Sequence, residues 1–158
     1  MLLYRVTLAI YAADLSGEGA RRNKGRWNPA GVPMVYTSSS VALAAIECFV
    51  NTPPEIVSVT DFKRVDVYVP DEASIEFVEI GNLPSNWSSM PAPDLLCEIG
   101  REWAQRRESL LVCVPSAALC GHENNFLINP QHQLMRDVKV VDVRPFIYDP
   151  RLLSITKK

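Results

Sequence analysis

The chain has 158 residues, of which 47% are hydrophobic and 22% charged, and a formal net charge of -2. This length fits one domain with a buried core, and the near-neutral charge excludes the broad basic footprint of a nucleic-acid-binding surface. No apolar run approaches the roughly 18 residues of a membrane span. The four cysteines (Cys48, Cys97, Cys113, Cys120) have no C-x-x-C spacing, so they read as reduced thiols of a cytoplasmic protein, not as a disulfide or zinc framework.

Residues 2–10 alternate apolar and polar side chains around Arg5 and predict a first strand, not a signal peptide. Residues 14–28 carry Gly17, Gly19 and Gly25 among Arg21, Arg22, Lys24 and Arg26 without a hydrophobic period, which predicts a loop over the surface or over a ligand. A short strand over 33–37 leads into Ser38, Ser39 and Ser40, whose hydroxyls suit a cap for an alanine-rich helix over 41–50. Pro53 and Pro54 stop that helix. Alternation over 55–69 predicts one or two strands, and 74–80 another. Residues 83–93, rich in proline and serine, read as an irregular loop. Asp94 caps a predicted helix to about residue 107, with Leu96, Ile99 and Trp103 on one face. The apolar run 110–114 predicts a buried central strand, 115–132 a polar irregular segment, and 139–148 a late strand. Strands and helices mix without a β-α-β rhythm. The expected fold is therefore α+β, a single compact domain over 1–158 with mixed β-sheets and a few helices.

Arg26, Tyr36 and Glu47 follow one another within one short stretch. A guanidinium grips phosphate oxygens by two parallel hydrogen bonds. A tyrosine face stacks on a flat heterocycle, and a carboxylate stabilises developing positive charge. NAD+ combines phosphates, a flat ring and such a charge. Each residue also has a plain structural reading: Arg26 in a solvated loop, Tyr36 as a half-core strand residue, Glu47 as the solvent face of its helix. Against the last, the helix holds almost no other polar residue to form such a face. Ser116 ends the apolar run 110–114, where site residues and ordinary turn residues both occur, and no Gly-x-Ser-x-Gly elbow surrounds it. His122 and His132 belong to no metal motif and read as surface imidazoles. Asn124, Asn125 and Asn129 suit side-chain to backbone bonds that pin their loop.

Gly17-Glu18-Gly19-Ala20, Gly25-Arg26-Trp27-Asn28, Val35-Tyr36-Thr37, Ala44-Ala45-Ile46-Glu47, Val114-Pro115-Ser116, Glu123-Asn124-Asn125 and Asp149-Pro150-Arg151-Leu152 occur in an order and spacing that resembles RES-domain toxins of toxin-antitoxin pairs. By motif position the family's arginine, glutamate, serine and tyrosine fall on Arg26, Glu47, Ser116 and Tyr36, and Trp27 joins the residues expected at NAD+. The resemblance implies a fold similar to ADP-ribosyltransferase toxins and a cytoplasmic enzyme that cleaves NAD+ at the nicotinamide bond, by hydrolysis or phosphorolysis. ADP-ribosylation of a protein is the alternative, and a non-catalytic binding module on the same scaffold a further one. It implies NAD+ as substrate with no metal, and an Xre-type antitoxin as partner. DNA would be contacted only through that antitoxin, and a homodimer or a larger complex with it is left open.

Overall fold

Seven strands form one mixed sheet in the order β4-β5-β6-β2-β1-β3-β7. They are β1 (Leu2–Leu8), β2 (Val35–Ser38), β3 (Phe62–Tyr68), β4 (Ile75–Phe77), β5 (Leu111–Pro115), β6 (Asn124–Ile128) and β7 (Lys139–Phe146). The helices are α1 (Glu18–Arg22), α2 (Val41–Val50), α3 (Pro54–Val57), α4 (Asp94–Arg106) and α5 (Pro150–Ser154). The structure, a computed structural model, describes residues 1–154, so the last residues of the expected 1–158 domain lie outside it. Only β4 and β5 run parallel; every other neighbouring pair is antiparallel. The α+β class read from the sequence is the observed one, with its strands gathered in a single sheet.

Both faces of this sheet are covered. Leu3, Val35, Val67, Leu111 and Ile128 pack on one face with Ala12, Met135 and Val138 from connecting segments. On the other, Val112, Val114 and Leu127 pack against Trp27, Trp87, Leu96 and Trp103, which seats α4 over β5 and β6. Full burial of an aliphatic side chain such as Leu96 stabilises the fold by about 1.5–3 kcal/mol. The register row Tyr4–Ser38–Asn125–Val114 runs along this same face. At its far end Val6 and Phe62 pack with Ala44, Val57 and Tyr148, which seats α2 there. A gap between α4 and α2 is left open above β2 and β6.

Three predicted segments differ. Residues 14–28 contain α1, a helix without an apolar period. Its Glu18 carboxylate accepts from Arg21 at 2.6 Å and from Arg22 at 2.8 Å, and such i,i+3 and i,i+4 pairs support an exposed turn of helix. The predicted strand over 55–69 begins only at Phe62, because Pro54 opens the short helix α3, where its missing N–H costs nothing. The polar segment 115–132 hides β6, an interior strand of the sheet. Its asparagines have low strand propensity, and tertiary pairing to β5 and β2 overrides it. His132, read as a surface imidazole, is buried, and its Nδ1 accepts from the Leu134 N–H at 3.1 Å.

Candidate active site

Helix α2 begins at its N-cap Ser40, whose Oγ accepts from the Leu43 N–H at 3.1 Å. From there the helical period places Leu43, Ala44 and Glu47 on one stripe. Leu43 and Ala44 are buried, whereas Ile46 and Val50 are 37% and 58% exposed. The helix thus turns its one carboxylate inward, on the same stripe as buried Leu43 and Ala44, and leaves apolar Ile46 and Val50 partly exposed. Glu47 Oε1 accepts from Ser116 Oγ at 2.7 Å and from Asn125 Nδ2 at 2.6 Å.

Ser116 follows β5 and is 0% exposed. Its Oγ also accepts from the Leu119 N–H at 3.2 Å, and its backbone closes a tight turn by bonds to Glu123 O and from Gly121 N. Pro115 and Ala117 reach the cavity wall while Ser116 stays behind Glu47.

The Gly25-Arg26-Trp27-Asn28 segment forms the opposite wall. Asn28 is fully buried, and its Nδ2 donates to Ala20 O, Asn23 O and Pro29 O, which shapes the basic loop from inside. Its Oδ1 accepts from Tyr36 Oη at 2.7 Å, and Tyr36 Oη accepts from the Trp27 N–H at 3.2 Å. A Cβ on Gly25 would stand 2.6 Å from Asn28 Oδ1 and 2.8 Å from Tyr36 Oη, so only glycine lets these bonds form. Burial pushes the Tyr36 hydroxyl well above its ordinary pKa, keeping it a neutral donor. Tyr36 still exposes 36% of its surface, and it lines the cavity. Trp27 is 3% exposed; its side chain belongs to the core under α4, yet the residue also borders the cavity.

Arg26 donates from Nη1 to Trp87 O at 2.6 Å and from Nη2 to Ser89 O at 3.1 Å, tying the irregular 83–93 loop to the site. Burial lowers its pKa, and the Glu47 carboxylate opposes that shift. Two of the guanidinium's five N–H groups are used in this way. The other basic residues of the loop have carboxylate partners: Arg21 and Arg22 pair with Glu18, and Lys24 pairs with Asp94 at 2.5 Å.

These walls enclose a cavity of about 750 Å³, bordered by Tyr4, Arg26, Tyr36, Ser38, Glu47 and Asn125 among others. Small-molecule and cofactor sites span about 300–1,000 Å³. Arg26, Tyr36 and Glu47, separate in sequence, therefore converge on one concave space with a carboxylate facing a guanidinium. Sequence reasoning missed Asn125 and Ser38. Asn125 is not the loop pin that its sequence context suggests, because its amide donates to Glu47; Asn129 does bond backbone, to Ala104 O at 2.8 Å. The alternation of Asn125 with Leu127, against Phe126 with Ile128, is the signal that places it on the site face.

Residues 2–149 match the RES domain family. The chain is 41% identical over 144 residues, 90% of this chain and 88% of the relative, to a protein of Sphingobium sp. (strain YBL2) named Prs ADP-ribosylating toxin. It is 36% identical over 154 residues, 96% of this chain and 99% of the relative, to Toxin Res of Yersinia enterocolitica. A chain in the crystal structure of the M. tuberculosis MbcT-MbcA toxin-antitoxin complex has the same fold, with a TM-score of 0.71 and 20% identity over 98% of this chain and 87% of that one. The family match over nearly the full chain, with relatives aligned over most of their length, shows that this protein belongs to the RES-domain family.

Proposed function

We propose that this chain is a bacterial toxin that cleaves NAD+ between nicotinamide and ribose. The observation that carries the reading is Glu47, turned inward by α2 and held by Ser116, on the same cavity as Arg26 and Tyr36. Nicotinamide leaves as a neutral molecule from a cationic nicotinamide ring, so no general acid is needed. The barrier lies in the oxocarbenium-like charge that grows on the ribose, as in glycoside hydrolysis. A fixed carboxylate beside that charge stabilises the transition state more than the ground state. Glu47 has this role, Arg26 holds the pyrophosphate with its remaining N–H groups, and the Tyr36 ring stacks on nicotinamide. Ser116 acts on the substrate through Glu47, and Trp27 builds the wall that carries Arg26.

Transfer of ADP-ribose to a protein is the second reading, favoured by the name of the 41% identical relative. The two differ in the acceptor, water or phosphate against a protein side chain. The fold shared with a toxin-antitoxin complex supports an antitoxin partner; the Xre type is the one we expect. The free state of all four cysteines supports a cytoplasmic location.

Expression of the chain alone in a bacterium should arrest growth and lower cellular NAD+. Glu47→Ala should abolish both effects, and co-expression of the antitoxin should restore growth. A wild-type chain that is harmless at high expression, with NAD+ unchanged, would sink the toxin reading.

A further inference from the structure

Ser38 and Asn125 are directly paired in the β2–β6 ladder, on the face of the sheet that carries the cavity. Ser38 Oγ donates to Asn125 Oδ1 at 2.7 Å, and Asn125 Nδ2 donates to Glu47 Oε1 at 2.6 Å. An ionised carboxylate accepts only, so the amide nitrogen must face Glu47 and the amide oxygen must face Ser38. Ser38 is buried, and its hydroxyl hydrogen is the donor that locks this orientation. Ser116 Oγ reaches the same carboxylate oxygen at 2.7 Å.

Glu47 Oε1 is thus gripped twice, from β6 and from the end of β5, whereas Oε2 takes part in no hydrogen bond among the described residues. Nor is Oε2 sealed inside the protein: Arg101 Nε is the one buried side-chain polar atom without a partner among the described residues. Oε2 is therefore open to the cavity, with its lone pairs unused. We infer that Asn125, oriented by Ser38, is a positioning residue which with Ser116 clamps one oxygen of Glu47 and presents Oε2 as the oxygen that meets the ribose. This inference rests on the NAD+-cleaving reading above. A glutamate side chain has a soft terminal torsion. Two donors converging on one oxygen, one from β6 and one from the turn after β5, remove that freedom before substrate arrives. Preorganisation of this kind lowers the cost of aligning the charge during reaction.

The ionisable groups around the pair are Arg26 and Tyr36, which face Glu47 across the cavity, Tyr4, paired with Ser38 in the ladder, Arg5 and Lys24 on the cavity wall, Cys48 beside Glu47 in α2, and Glu123, which accepts from Ser40 at the start of α2. None donates to Glu47 Oε1, so the amide is not duplicated.

The test uses purified full-length protein and nicotinamide release. Asn125→Ala should lower kcat at least about tenfold, the scale of one lost hydrogen bond to a charged group, while KM stays within about twofold because Arg26 and Tyr36 still hold NAD+. Asn125→Asp gives a sharper readout. When protonated, its carboxyl can donate to Glu47 as the amide does; once ionised, it sets two carboxylates against each other. Its activity should approach wild type at acidic pH and fall at least about tenfold relative to wild type as pH rises. A variant that tracks the wild-type pH profile, or an alanine variant with wild-type kcat, overturns the inference. An activity-free readout separates this failure from that of the NAD+ reading. The Asn125 side-chain amide signal in a 15N–1H spectrum should shift in both Glu47→Ala and Ser38→Ala. A signal indifferent to both variants overturns the positioning role, whereas a wild-type chain that releases no nicotinamide overturns the NAD+ reading itself.

Discussion

Glu47→Gln should leave the protein folded and able to bind NAD+, yet reduce kcat about 100- to 1,000-fold, equivalent to about 3–4 kcal/mol of lost transition-state stabilisation. Glutamine keeps the length and shape of the side chain but removes the charge that we propose faces the growing cation. Its amide can still meet Ser116 and Asn125 through its oxygen, so the contacts at Oε1 have a neutral counterpart. Circular dichroism should match wild type, and a fluorescence titration with NAD+ should give a Kd within a few-fold. A glutamine variant that turns over at near the normal rate would show that the carboxylate is structural.

Arg26 should be comparably sensitive, and its shape should matter as much as its charge. The guanidinium spans Trp87 O and Ser89 O while facing the cavity, so it anchors the 83–93 loop as well as offering donors to phosphate. A lysine supplies one compact ammonium and cannot reproduce both bonds in a plane. Arg26→Ala should lower kcat/KM about 1,000-fold and Arg26→Lys about 100-fold, as expected for two charge-assisted hydrogen bonds lost in full or in part. Full activity in the lysine variant, beside an inactive alanine variant, would replace the bidentate role with a general electrostatic one.

How much of this was legible beforehand depends on whether an element announces itself locally. Helix α4 was readable because Leu96, Ile99 and Trp103 repeat on one face, and all three pack under it. Helix α2 was readable from Ser40 as its cap. Its inward carboxylate could be suspected because almost no other polar residue shares the helix; the spacing of Leu43, Ala44 and Glu47 even indicates the direction. Strand β6 was not readable. Asn124 and Asn125 look like turn residues, and what holds them in the sheet is pairing to strands distant in sequence. The same holds for the site: the Asn125–Glu47 bond joins residues 78 apart, and no local pattern reports such a contact. Arg26 could be tied to phosphate by its chemistry, but its grip on the backbone of an irregular loop has no periodic signature.

We propose that this chain breaks the bond between nicotinamide and ribose in NAD+ by means of Glu47. The decisive experiment incubates purified protein with NAD+ in water alone, with phosphate, and with a protein acceptor added, and analyses the products by mass spectrometry. Free nicotinamide should appear in stoichiometric balance with an ADP-ribose product, on water, on phosphate or on the added protein acceptor, and should be lost in Glu47→Gln. Intact NAD+ after prolonged incubation with the wild-type protein under all three acceptor conditions would contradict it.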